Sequence, residues 1–165
     1  DMGVTMDNRQ RTFNELAILS HIMQTNSIGA LQEIVGIPPL QLHNILTQAQ
    51  ADGKIKYNRK KSNFTLDADL DLDTLAITDG MSQFIEEVEL YVADANSRES
   101  DITTDQLALA AGMRDDTLIR LAVFKSSKLA SYELSPVKDK KTVYTFVTLA
   151  DNLDHKWGER QIGGK

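Results

Sequence analysis

Three histidines, a ladder of aspartates and one dense basic run are the side chains of this 165-residue sequence whose types could do chemistry. His21, His43 and His155 are far apart and share no ligand spacing with one another or with carboxylates, as a zinc site would need. Asp67, Asp69, Asp71 and Asp73 alternate like the oxygen ligands of a calcium loop. The glycine and closing glutamate of such a loop are missing, however, and Leu70 and Leu72 sit between the carboxylates. No phosphate-cradling glycine loop and no GxSxG elbow is present. With no cysteine there is no thiolate ligand, no cysteine nucleophile and no disulfide framework. The expectation is a non-enzyme with no metal, no cofactor and no small-molecule substrate.

What remains is the chemistry of recognition. Lys54, Lys56, Arg59, Lys60 and Lys61 fall within KIKYNRKKSNFTLD, which reads as a strand, a basic turn and a returning strand. Long cations at a hairpin tip suit phosphate oxygens, which position a protein on nucleic acid without specifying sequence. Immediately upstream, Leu42, Ile45, Leu46 and Ala49 form a stripe at i, i+3, i+4 and i+7 that must face a core. At 100° per residue the opposite face is Leu40, Asn44, Thr47 and Ala51, flanked by His43 and Gln48. Gln41, Asn44, Thr47 and Gln48 are therefore the candidates for reading base edges, since Asn and Gln pair bidentately with adenine. The same residues have a plainer reading, in which the basic run is a soluble turn and the amide face is ordinary helix surface. Tyr57 and Phe64 have the rings to stack on bases, but as strand residues beside the turn they more often belong to a core.

The elements that must hold these residues follow from periodicity and breaks. Thr12 to Gln24 carries Phe13, Leu16, Ala17, Leu19, Ile22 and Met23 at helical spacing. Ile28 to Val35 is a short helix closed by Gly36, the residue best able to take a left-handed conformation at a helix end. Pro38 and Pro39 open the third helix, where a first-turn proline loses no internal bond, and Asp52-Gly53 ends it. Asp67 to Asp79 alternates acidic and apolar residues and reads as an acidic connector over 68–79 or as one more strand. Met81 to Asn96 is the clearest helix, with Phe84, Ile85, Val88, Val92 and Ala95 on one face. Thr104 or Asp105 is placed to cap the next helix. A further helix runs from Asp115 to Ser127, and a second hairpin lies within Leu129 to Leu149 with its tip at 136–141. Residues 151–165 read as a tail.

Leu31, Gly36, Ile37, Leu42 and Ile45 recur 76 positions later as Leu107, Gly112, Met113, Leu118 and Leu121, so the chain reads as a duplicated module. In element order, helix, turn, helix and basic hairpin, each copy resembles the winged helix-turn-helix superfamily. The resemblance implies a mainly α fold with small β-hairpin wings (α+β), as two tandem units over 8–67 and 80–150. It also implies that the third helix of the first copy enters the major groove of double-stranded DNA while the wing contacts the backbone. In the second copy, a core stripe of Leu118, Leu121 and Ala122 leaves Arg120 and Val123 outward with Ile119 at the margin. Asp115 and Asp116 at its start would repel phosphate. Ile119, Arg120 and Val123 are thus expected to meet a protein partner or a second copy, while Lys138, Lys140 and Lys141 of the second hairpin could still touch a backbone.

Charge is distributed unevenly. The net of −6 divides into +2 over residues 1–66, −11 over 67–105 and +3 over 106–165, so both ends are mildly basic. The sequence expectation is a DNA-binding regulator of transcription, or a replication-associated factor, using the first copy. The alternative, favoured by the acidic middle, is a non-catalytic adaptor built from tandem winged helices, including an acidic mimic of DNA. No apolar run approaches the ~20 residues of a membrane span and the first residues lack a signal-peptide core, so a cytoplasmic setting is expected.

Overall fold

In the computed structural model, which describes residues 2–100, 102–135 and 142–153, the chain is mixed α+β and divides into two units, Asp1–Gly80 and Met81–Lys165. The first contains α1 (Met2–Met23), α2 (Ile28–Val35), α3 (Pro39–Ala51), β1 (Ile55–Asn58) and β2 (Asn63–Leu66). The second contains α4 (Asp79–Ser97), β3 (Ile102–Thr103), α5 (Thr104–Ala110), α6 (Thr117–Lys125), β4 (Leu129–Leu134), β5 (Tyr144–Leu149) and α7 (Ala150–Leu153). Each unit thus runs through three helices into an antiparallel hairpin. No helix among the described residues is long and apolar enough to cross a membrane.

The repeated breaks do the same work in both units. Gly36 and Gly112 have φ of 68° and 73°, the left-handed region that an unbranched backbone occupies without a Cβ penalty. Ser27 caps α2 by accepting a bond from the Ala30 N–H and also pairs antiparallel with Asn63 of β2. Thr103 does both jobs in the second unit. It closes a reciprocal capping box with Gln106 and pairs with Phe146 of β5, giving the sheet order β3-β5-β4. The expected cap at Thr104 or Asp105 therefore lies one or two residues too late, because the strand and the cap share one residue.

Each core is built from the predicted stripes. In the first unit Phe13, Leu16 and Ala17 of α1 are buried, as are Leu31 of α2, Leu42, Ile45, Leu46 and Ala49 of α3, and Ile55 and Phe64 of the hairpin. Phe64 at 1% exposure is core and has no free ring face to offer a base. In the second unit Ile85, Val88, Val92 and Ala95 of α4 are buried with Leu107, Leu121, Ala122, Leu129 and Val147. Ile119 is buried completely, at 0%. The expectation that Ile119 is an exposed partner contact is wrong. A nine-residue helix that packs on both α5 and β4 needs a wider apolar arc than the three-residue stripe assigned to it. Leu118, expected in that stripe, is half-buried.

Three boundaries also differ from expectation. The first helix begins at Met2, not Thr12, since residues 4–11 contain no proline or glycine to stop it even though residues 2–11 lack an apolar stripe. Residues 67–78 are not a free connector. After a short 3-10 turn at Leu72–Thr74, the chain returns to α1. There Asn14 Nδ2 donates to the Ala76 carbonyl at 2.8 Å and Arg11 donates to the Ile77 carbonyl at 3.1 Å. Glu15 Oε2 accepts from both the N–H and the hydroxyl of Thr78, at 2.7 and 2.6 Å. The aspartates of this stretch cap its turns, since Asp67 accepts from the Asp69 N–H and Asp71 from the Asp73 N–H. Finally, the supposed tail starts with α7, whose Asn152 donates to Asn96 Oδ1 together with the Thr148 hydroxyl and the Leu149 N–H. The remainder of the tail, from residue 154, lies outside the described residues.

Both hairpins are fastened at the base by the same bond. The Asp67 N–H donates to the Lys54 carbonyl at 2.8 Å, and the Ala150 N–H donates to the Lys128 carbonyl at 2.8 Å.

Candidate nucleic-acid interface

α3 presents the face that its sequence dictates. With Leu42, Ile45, Leu46 and Ala49 turned inward, Gln41, Asn44 and Thr47 are exposed and Leu40 stands 71% exposed at the helix start. These side chains are not equally available. The Thr47 hydroxyl donates to the His43 carbonyl one turn back at 2.8 Å, and Gln48 Nε2 donates to Asp52 Oδ1 at 3.0 Å. Gln48 is half-buried, and Gln41 and Asn44 are left as the amides of this face with no side-chain bond among the described residues.

The hairpin is tied to α3 by two side-chain bonds that meet at one residue. Gln50 Oε1 accepts the outward N–H of Tyr57 at 2.7 Å, satisfying an edge-strand donor that water would otherwise hold. The Tyr57 hydroxyl meets His43 Nδ1 at 2.9 Å, with the two rings 5.6 Å apart and tilted. His43, predicted on the flank of the outward face, is therefore turned toward the hairpin.

The turn itself is made by sequence. Asn58 Oδ1 accepts the Lys61 N–H, and Ser62 takes φ of 51° to bring the chain back. Ser62 then accepts from the Ile28 N–H and Phe64 donates to the Asn26 carbonyl, so the turn is braced on the start of α2. Held this way, Lys56, Arg59, Lys60 and Lys61 are all exposed, and among the described residues none of them forms an ion pair. Lys54 differs. It is half-buried, with its Nζ 5.8 Å from the centre of the Phe13 ring, a cation–π contact that turns it toward α1. Five exposed cations were expected, and the structure leaves four exposed.

In the second unit the equivalent helix offers no amide row. Asp116 Oδ2 accepts from the Thr104 hydroxyl at 2.7 Å and from Arg120 Nε at 2.9 Å, and Arg120 also reaches the Thr145 hydroxyl at 3.3 Å. Arg120 thus joins α6 to β5 within the unit. Val123 is half-buried. Lys138, Lys140 and Lys141 lie outside the described residues. What sequence reading missed here is apolar exposure on α4 and α5. Leu90 is 71% and Leu109 80% exposed, and each is next in sequence to a partner of the Tyr91 hydroxyl to Ala110 carbonyl bond at 3.4 Å. The signal was available, because Leu90 falls off the apolar stripe of α4. Among the described residues no three His, Cys, Asp or Glu side chains gather as a metal would require.

Comparisons of this chain with protein-family models, with curated proteins and with solved structures find no match.

Proposed function

We propose that the first unit is a winged-helix module that binds double-stranded DNA, and that the protein is a regulator or replication-associated factor acting through it. One observation carries this reading. A helix face of uncharged amides, Gln41 and Asn44, is fixed through Tyr57 to a hairpin whose four exposed cations have no acidic partner among the described residues. Uncharged amides suit base edges and unpaired cations suit phosphates, and both occur on one braced platform. The helix, turn, helix and hairpin order seen in each unit supports the same reading. The test is a mobility shift with mixed-sequence duplex at low and moderate salt. Retardation that weakens as salt rises is expected from counterion release, and no retardation at low salt would sink the proposal.

A second reading has its own observation. Leu90 and Leu109, both largely exposed in the second unit, suit a protein contact better than a nucleic acid. On this reading the chain is an adaptor, and Leu109→Glu would abolish a protein complex while leaving duplex retention unchanged.

A further inference from the structure

A cleft of about 360 Å³ opens within the first unit between the starts of α2 and α3 and the hairpin. That volume falls in the range of about 300 to 1,000 Å³ typical of small-molecule sites. Its accessible apolar surface comes from Ile28, Pro39 and the exposed Leu40, because Leu42 and Leu46 behind them are buried, and Gln32, His43 and Ser62 supply polar lining beside it. Its far wall is Tyr57, whose hydroxyl is already bonded to His43. Arg59 completes the rim and has no acidic partner among the described residues.

We propose that this cleft binds a small organic acid, a single carboxylate carried on an aromatic or branched aliphatic body. The apolar surface of Ile28, Pro39 and Leu40 rewards an apolar body by releasing the water against it. A guanidinium at the mouth rewards one carboxylate, which it can grip with two parallel N–H bonds. A sugar-phosphate strand gains nothing from that apolar surface, and a neutral hydrocarbon gains nothing from Arg59. A metal ion would find His43 as its sole good ligand in the lining, already turned to Tyr57. The site goes beyond the DNA-binding reading and shares Arg59 with it, but the acid needs neither Lys60 nor Lys61.

The experiment uses the full chain with phenylacetate and its neutral isostere phenylacetamide as probes, followed by thermal shift and by the Tyr57 resonances. Phenylacetate is expected to raise Tm and to perturb Tyr57, with phenylacetamide about tenfold weaker, as suits loss of a charge-assisted bond. Arg59→Ala, at an exposed turn where folding is not at stake, should weaken phenylacetate about tenfold and leave phenylacetamide unchanged. Lys60→Ala with Lys61→Ala should leave both probes unchanged while weakening duplex retention, so the two readings fail separately. Absence of binding by either probe, equal binding of acid and amide, or an unaltered phenylacetate affinity in the Arg59→Ala protein would each overturn the proposal.

Discussion

Asn44 and the pair Lys60 and Lys61 occupy the two chemically distinct parts of the candidate interface, and their substitutions should separate. Asn44 is exposed opposite the buried stripe of α3, where a base edge rewards an uncharged amide. Asn44→Ala is expected to cost about 1 to 3 kcal/mol on a preferred duplex and little on random duplex, measured by competition binding. Replacing Lys60 and Lys61 together with alanine should weaken all sequences alike. The plot of log affinity against log salt should become shallower, by about one unit for each phosphate that is no longer neutralised. Both outcomes rest on residues that were legible in the sequence, because a buried stripe at known periodicity fixes what lies across the helix. Lys54 and Ile119 were not legible for a shared reason. Sequence gives a residue's angle around its own element but not the neighbour above it. Phe13 draws in the first, and the two flanks of α6 bury the second.

At the scale of elements, the breaks were read more reliably than the starts. Gly36 was expected to close a helix and does so at φ of 68°, with no atom within 4 Å of where a Cβ would stand. Gly36→Ala should therefore lower stability through backbone strain alone, by about 1 to 2 kcal/mol in urea unfolding. Gly80 supplies the contrast. It lies in the first turn of α4 with ordinary backbone and open space around it, so Gly80→Ala should be neutral or stabilising by up to about 1 kcal/mol. Helix starts were harder. Met2 to Arg11 has no apolar stripe, and its cap-type residues Thr5, Asp7 and Asn8 lie inside the helix, so propensity without a stripe gives no boundary. Strand β3 escaped notice because two residues carry no periodicity of their own, and only pairing with β5 defines them.

At the scale of the molecule, a division into two units was visible in the sequence, while the end of the first unit was hidden. The acidic and apolar alternation of residues 67–79 looked like a connector, because the bonds that anchor it come from α1, more than sixty positions away. Asn14 is only 7% exposed beneath that segment. A fragment ending at residue 67 should accordingly be less stable than one ending at residue 80. The difference is expected to be on the order of 2 kcal/mol in urea midpoint analysis, given about 0.5 to 1.5 kcal/mol for each neutral hydrogen bond and more for Glu15. Equal midpoints would mean that the returning segment is decoration. The bond that fastens each hairpin at its base, from Asp67 to Lys54 and from Ala150 to Lys128, has a different implication. It is the same in both units although the residues between the strands are 59–62 in one and 135–143 in the other. Roughly doubling a loop costs only about 0.6 kcal/mol of closure entropy. The hairpin tip is thus the part of each unit where insertions are cheap, and a lineage or an engineer can rewrite what the surface touches without disturbing the core beneath it.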